Sequence, residues 1–440
     1  MATPMQYRFE TTLAFAQQLD KEDTLRSFRD EFILPQKEDG TPKIYFCGNS
    51  LGLQPKSATQ YVGEEMQRWA SLGVEGHFEG NPSWFHYQRT MKDATARLVG
   101  ALPHEVVIMN TLTVNLHLML VSFYRPTAQR YQIIMEAGAF PSDQYAVESQ
   151  VRFHGFDPAT AIVEISPRRG EHTLRTEDIE QTIREHADSL ALVLFGGIHY
   201  YTGQAFALGR IAAAARQAGA MVGFDLAHAA GNVPLHLHEW GADFAVWCTY
   251  KYLNSGPGGT SGVFIHERHA NNPNLPRFAG WWGYREETRF LMQKNFEPMY
   301  GAEGWQLSCG QILPFAAYRA SLEIFDRAGM DNLRQKSTLL TSFLAYLLQH
   351  MNEQAEEELV RIITPADPEQ RGCQLSLVIP KNGKKTFQKL IEAGVICDWR
   401  EPDVIRVAPV PLYNTFEEVW HFTSILTKII TSDAVPAQTV

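Results

Sequence analysis

Six short apolar runs constrain this chain more than anything else in its sequence. They are "EVVIMN", "RYQIIME", "ALVLFGG", "MVGFDLA", "FAVWCTY" and "SGVFIHE", all between residues 105 and 267. Each is rich in β-branched or aromatic residues, and most are nearly continuous in apolarity. Strands buried on both faces read this way, because helices cover both sides of a parallel sheet. Amphipathic segments lie between them, such as "LGRIAAAARQAGA", which closes on Gly219 near a helix end. The expected class is α/β, with a mainly parallel central sheet flanked by helices. From about residue 315 the pattern changes to a long helical stretch, "CQLSLVIP", a helix, "GVICDWR", "VIRVAPV" and a final helix at "TFEEVWHFTSILTKII". That predicts a smaller α+β C-terminal domain. The expected division is residues 1–55 as an N-terminal segment packing with the small domain, 56–315 as the large domain and 316–440 as the small one. Residues 1 to about 40 read as helical and charged.

Composition bounds the partners. The 440 residues, 45% hydrophobic and 20% charged, suffice for the large core of an ordinary globular enzyme. A net charge of -10 argues against nucleic acid as the main partner. The five cysteines are scattered, odd in number and form no CxxC, so they read as reduced thiols and not as a disulfide frame or zinc site. No stretch approaches about 18 uninterrupted apolar residues. The first residues lack a basic segment followed by an apolar core. The expected location is therefore the cytoplasm, with no membrane partner.

In open α/β sheets, ligands sit beyond the carboxyl ends of the strands. The apolar runs lead into "NTLTVNLHL", "FPSDQY", "HYYTGQ", "DLAHAAGN" and "TYKYLNSGPGG". Aromatic, acidic, histidine, hydroxyl and lysine groups thus gather along one sheet edge. Asp225 at one strand end, with Lys251 at the next, suits pyridoxal phosphate. The lysine amine condenses with the cofactor aldehyde, and the aspartate keeps the pyridine nitrogen protonated so that the ring draws electrons. A helix start can hold the phosphate, and an aromatic side chain can stack on the ring. The glycines after Lys251 are expected to clear space around it.

Each residue alone has a plainer reading. Lys251 fits a surface lysine at a strand end, Asp225 a turn, His228 a structural histidine and Phe140 a core residue. Arg406 fits an ion pair with Glu401 or Asp403. The constellation outweighs its parts, because the features fall at successive strand ends.

The chain resembles kynureninase, a pyridoxal-phosphate enzyme of aminotransferase fold type I. The matching segments are "IYFCGNSLGLQP", "NTLTVNLHLML", "AFPSDQYAVESQ", "HYYTGQ", "VGFDLAHAAGN", "WCTYKYLNSGPGG", "ITPADPEQRGCQL" and "IRVAPVPLYNTF", in order from about residue 44 to 416. The resemblance implies that Lys251 holds the cofactor and that Asp225 pairs with its ring nitrogen. It implies that Phe140 stacks on the ring with Asp143 nearby, and that Leu112 and Thr113 contact the phosphate. His228 and Tyr250 lie close by, Trp281 reaches a phosphate across a homodimer interface, and Cys309 stands at a cofactor-contacting position. Arg406 grips the substrate α-carboxylate, with Ser50 and His77 on the substrate side. Lys251, Asp225 and Tyr250 are the expected catalytic groups, with Tyr250 and His77 as unranked donors to a developing oxyanion. No metal is expected.

The implied reaction is hydrolysis of L-kynurenine or its 3-hydroxy form to the anthranilate and L-alanine, in tryptophan degradation or NAD precursor synthesis. Two departures bear on this. Ser308-Cys309-Gly310-Gln311 stands where the family often has Ser-Asn-Pro-Pro, and Gly196 stands where some relatives carry serine. The nearest rival, a cysteine desulfurase, resembles a family with histidines at the positions of Phe140 and Tyr250. A second rival is a non-catalytic binder of the same fold. Loss of Lys251 or Asp225 would have signalled it, and both are present.

Overall fold

The protein is described from a computed structural model covering residues 8–272, 274–355 and 357–434. Seven strands form the main sheet: β1 Val106–Ile108, β2 Gln132–Glu136, β3 Ile162–Ile165, β4 Leu190–Gly196, β5 Met221–Asp225, β6 Phe244–Cys248 and β7 Ser261–Ile265. Their spatial order is β1-β7-β6-β5-β4-β2-β3. Neighbours from β6 to β3 pair in parallel, and β7 runs antiparallel to both β6 and β1. The mainly parallel sheet expected from the apolar runs is present, with one reversed strand. The sequence reading omitted β3, whose "IVEI" is cut by an exposed glutamate. All five residues of β6 and all five of β7 are buried, as covering both faces with helices requires.

Four strands form a second, antiparallel sheet in the order β8-β9-β11-β10: β8 Arg361–Ile362, β9 Leu375–Val378, β10 Asp398–Arg400 and β11 Val404–Val407. Among the described residues, the N-terminal stretch forms an α-helix at Leu13–Glu22, followed by a 3-10 turn at Arg26–Glu31 and a two-residue strand at Phe32–Ile33. Its helix packs Ala16 and Leu19 into the core around the helix Phe416–Ala434. Asp20 caps that helix by accepting from the amides of Phe416 and Glu417 at 2.7 and 2.9 Å. Ile44–Tyr45 pairs in parallel with Val395–Ile396. The early chain is therefore stitched to the C-terminal part of the chain, through a separate two-stranded sheet and the cap on Phe416–Ala434.

The long helical stretch is two helices, Ile312–Ala328 and Met330–Ala355, broken at Gly329. Phe315, Tyr318, Leu322 and Phe325 of the first belong to the main core, while Leu340, Phe343, Leu344 and Leu347 of the second belong to the small one. Burying one such side chain is worth roughly 1.5–3 kcal/mol, so the partition of these contacts favours a division near Gly329. We propose that division in place of the 315/316 boundary, which falls inside the first helix. On the far side of the sheet, Glu105 is fully buried. It accepts from Leu102 N and Glu267 N and pairs with His238 at 3.0 Å, locking the entry to β1 against the exit of β7.

Candidate active site

The strands β2, β4, β5 and β6 end side by side, and their carboxyl ends enclose a pocket of about 190 Å³. Its walls include Leu112, Thr113, Phe140, Asp143, Asp225, His228, Tyr250 and Lys251, eight of the residues expected from sequence. Lys251 projects its amine between two rings, with Nζ 5.8 Å from the centre of Phe140 and 5.9 Å from that of Tyr250. Among the described residues the amine has no carboxylate within ion-pair distance. Phe140 is 43% exposed, a ring face turned into open space. It packs perpendicular to the Tyr200 ring, at 5.3 Å and 84°.

Asp225 closes the floor. Its Oδ1 accepts from Ala227 N at 2.7 Å, and it is hydrogen-bonded to Asp143. Burial pushes both carboxyls up, and Asp225 pushes Asp143 well above the usual range. Their mutual hydrogen bond raises Asp143 and lowers Asp225, so Asp143 is the donor of the pair. His228 is held neutral by burial first and by the nearby Lys251, Arg406 and Arg400 charges next. Its Nδ1 is buried with no partner. Burial also raises the Tyr250 phenol, with Cys248 beside it as the next cause, so the hydroxyl keeps its proton.

The phosphate end is equally legible. The helix Leu112–Phe123 begins at Thr111, whose side chain makes no cap bond, so the first amides are free to take an anion. Thr113 Oγ1 lies 2.8 Å from Ser142 Oγ, at the start of the helix Pro141–Phe153. Pyridoxal phosphate fits this donor set. There are helix-start amides and two hydroxyls for the phosphate, an open ring for stacking, the Asp225 carboxyl for the ring nitrogen and a free amine for the aldehyde. The buried, unpartnered Nδ1 of His228 offers a further polar contact.

Gly256 and Gly258 have φ of +90° and +66°, and a Cβ on either would meet open space, so the loop after Lys251 needs them for its backbone shape. Close approaches within the chain fall at Gly259, where a Cβ would lie 2.2 Å from Ser255 Oγ, and at Gly52. A Cβ on Gly52 would lie 2.3 Å from the carbonyl oxygen of Lys251, and Gly52 N donates to Tyr250 O at 2.9 Å.

A family profile for the Kynureninase C-terminal domain matches residues 333–426. A kynureninase from Myxococcus xanthus is 57% identical over 426 residues, spanning 97% of this chain and 99% of the relative. The chain belongs to the kynureninase family. A kynureninase from Koribacter versatilis is 53% identical over 94% of this chain and 97% of its own length. Among solved structures, a cysteine desulfurase from Thermococcus onnurineus superposes with a TM-score of 0.74 at 16% identity, covering 89% of this chain and 95% of that one. At that identity the likeness shows the fold alone, aminotransferase fold type I.

Five expected site residues lie outside the pocket walls. Ser50 and Arg406 meet in a knot behind Tyr200, where Arg406 Nη1 donates to the Tyr200 carbonyl at 2.8 Å and Nη2 to Ser50 Oγ at 3.1 Å. His77 lines a separate surface hollow with Phe78, Phe85 and Phe290. Trp281 stands 5.4 Å from Phe290, with its indole N–H donated to Arg289 O at 3.3 Å. Cys309 is exposed, and a Cβ on Gly310 would meet the buried Phe315 ring at 2.2 Å.

Sequence reasoning missed four residues. Glu136 ends β2 and lines the pocket, accepting from Gly196 N at 3.1 and 3.3 Å. Burial pushes its carboxyl up to about 8, with Asp225 adding to the rise. A Cβ on Gly196 would stand 2.9 Å from Glu136 Oε1, so the glutamate fills the room a serine there would need. The signal was a carboxyl at a strand end, absorbed into the apolar run "QIIME". Ser142, beside Thr113 at 2.8 Å, Tyr200 and Asp398 are the others. His199 also matters indirectly: it donates to the 137–138 backbone and steadies the loop that carries Phe140.

Proposed function

We propose that this protein binds pyridoxal phosphate through Lys251 and hydrolyses L-kynurenine or 3-hydroxy-L-kynurenine to the anthranilate and L-alanine at this pocket. The observation that carries the reading is Lys251, an amine without a carboxylate partner poised between two rings opposite the Asp143–Asp225 pair. The cofactor supplies an aldehyde for the substrate amine and a ring that draws electrons from bonds at the α-carbon. Lys251, at the strand end, takes and returns the proton at the α-carbon. Asp225 holds a proton on the ring nitrogen, and Asp143 fixes Asp225 by donating to it. Phe140 covers one ring face, and Thr113, Ser142 and the helix-start amides hold the phosphate. When water adds at the substrate's γ-carbonyl, negative charge gathers on its oxygen. Tyr250, protonated and on the pocket wall, is the group we assign to donate there. Arg406 takes the α-carboxylate through a planar fork that lysine cannot reproduce.

We further infer a homodimer whose active site draws on both copies, with the protein in the cytoplasm. The support is a ring-packed apolar surface around Trp281 that includes His77 and lies apart from the pocket. No helix among the described residues is long and apolar enough to cross a membrane. The test is direct. The holoenzyme should show the cofactor's visible absorbance and release equal amounts of anthranilate and alanine from kynurenine. Release of sulfur and alanine from cysteine at a higher rate would reject this reading in favour of desulfurase chemistry. Arg406→Lys should lower kcat/KM by about ten- to a hundredfold, and unchanged kinetics would move the carboxylate site elsewhere.

A further inference from the structure

We propose that Asp398 is a positioning residue for substrate binding. It clamps one edge of the Arg406 guanidinium so that the other edge faces the cofactor pocket for the substrate's α-carboxylate. This rests on the assignment of Arg406 to that carboxylate. Asp398 on β10 and Arg406 on β11 are direct cross-strand partners. Sheet register therefore places the two side chains on the same face, side by side, before any substrate arrives. Arg406 Nε donates to Asp398 Oδ1 at 2.7 Å and Nη2 donates to Oδ2, a bidentate pair that uses the inner edge of the fork. The terminal edge points the other way. Its Nη1 donates to the carbonyl of Tyr200, a pocket-wall residue, and its Nη2 to Ser50 Oγ. Ser50 in turn donates to Asp398 Oδ2 at 2.5 Å. The pocket-facing edge is thus held by two neutral acceptors, which an ionised carboxylate outcompetes.

Charge and burial agree with this division of the fork. Arg400 lies 3.2 Å from Asp398 Oδ2, so two guanidiniums share one carboxylate and the knot carries one positive charge in excess. A substrate carboxylate supplies the balance. The Arg406 side chain is 1% exposed. A cation that deep is costly without a partner, so Asp398 also keeps it paired between turnovers. The opposing possibility is that Asp398 competes for the seat, since neutralising it removes a like charge near the incoming carboxylate. The clamp requires orientation to outweigh that repulsion, and the two ideas differ in sign.

The test uses the holoenzyme in four forms: native, Asp398→Asn, Asp398→Glu and Arg406→Lys. Two ligands are titrated against the cofactor's visible spectrum. One is the α-methylated substrate, which has no α-proton to lose, and the other is the decarboxylated substrate amine. Asp398→Asn should weaken the acid roughly tenfold and the amine less than about twofold. With true substrate, KM should rise more than kcat falls. Asp398→Glu keeps the charge at a longer reach and should recover part of the loss. If the asparagine variant does not fold, the glutamate variant carries the test, with the acid weakened about threefold and the amine unchanged. Unchanged acid affinity would make Asp398 merely structural, and tighter acid binding would make it a competitor; either overturns the proposal. Should Arg406→Lys leave the ratio of acid to amine affinity unchanged, the assignment of Arg406 itself fails, separately from the role of Asp398.

Discussion

At the carboxyl ends of β4 to β6, the Asp143–Asp225 carboxyls are paired inside one chain and the open space is shaped around a free amine. Around residues 78 to 86 and 281 to 292 the pattern is the reverse. Phe78, Phe85, Trp281 and Phe290 pack ring against ring at 5.4 to 6.2 Å, yet Trp281 is 43% and Phe290 53% exposed. Arg289 stacks within this cluster, 4.9 Å from the centre of Trp282. The first region is finished by its own fold, and the second is ordered but uncovered. Contiguous apolar surface of this kind marks an interaction site. The difference teaches that one chain by itself gathers the groups around Lys251, whereas the ring surface that includes His77 is the face on which the proposed second copy would act.

The largest effect should come from breaking the first region. Lys251→Ala should abolish borohydride-trappable cofactor and lower turnover by at least about a thousandfold. An adduct trapped at another lysine would relocate the site. Next is the second region. Phe290→Asp places a charge among the rings and should shift the sedimenting species from dimer to monomer. Turnover at nanomolar protein should fall about tenfold or more, while cofactor absorbance per chain is kept. A fully active monomer would erase the contrast between the two regions.

A smaller effect tests how strained the finished region is. Glu136 holds its proton up to about pH 8 in the folded chain, because burial and Asp225 disfavour its charge. Unfolded, it has the ordinary carboxylate range. Between those values the folded state binds a proton that the unfolded chain has lost, so this residue's contribution to stability declines as pH rises toward 8. In cofactor-free protein, Glu136→Gln should flatten that decline and raise the melting temperature at pH 8 by at least about 2 °C. An unchanged pH slope would mean that Glu136 is already ionised. The smallest effect belongs to the uncovered side. Cys309→Asn adds an amide where a thiol is a poor donor and weak acceptor. It should raise kcat/KM for 3-hydroxykynurenine relative to kynurenine by about threefold. If the ratio does not move, other groups read the 3-position.

Much of the pocket was legible in one dimension. Strand ends can be counted from apolar runs, and the geometry of a parallel sheet brings successive strand ends to one edge. Asp225, Lys251 and the strand-end segments that carry Phe140 and His228 come from that rule, and the family resemblance assigned Phe140, Asp143, Leu112 and Thr113 their roles. The break at Gly329 and the short first helix were less legible, because helical periodicity does not mark where one core stops and the next begins.

By itself, then, the sequence determined the α/β class, the edge on which chemistry gathers and the identity of the groups that stand there. The tertiary structure decided which of those groups touch. Glu136 and Gly196 are 60 residues apart and meet only because β2 and β4 pair as neighbours. Arg406 and Ser50 are 356 apart, and the arginine's partner is Asp398, not Glu401 or Asp403, because cross-strand register selects it. Gly310 faces Phe315 across a turn whose shape no pattern reveals. Periodicity encodes which way a side chain faces, and distance between remote residues is set only when strands choose their neighbours and register.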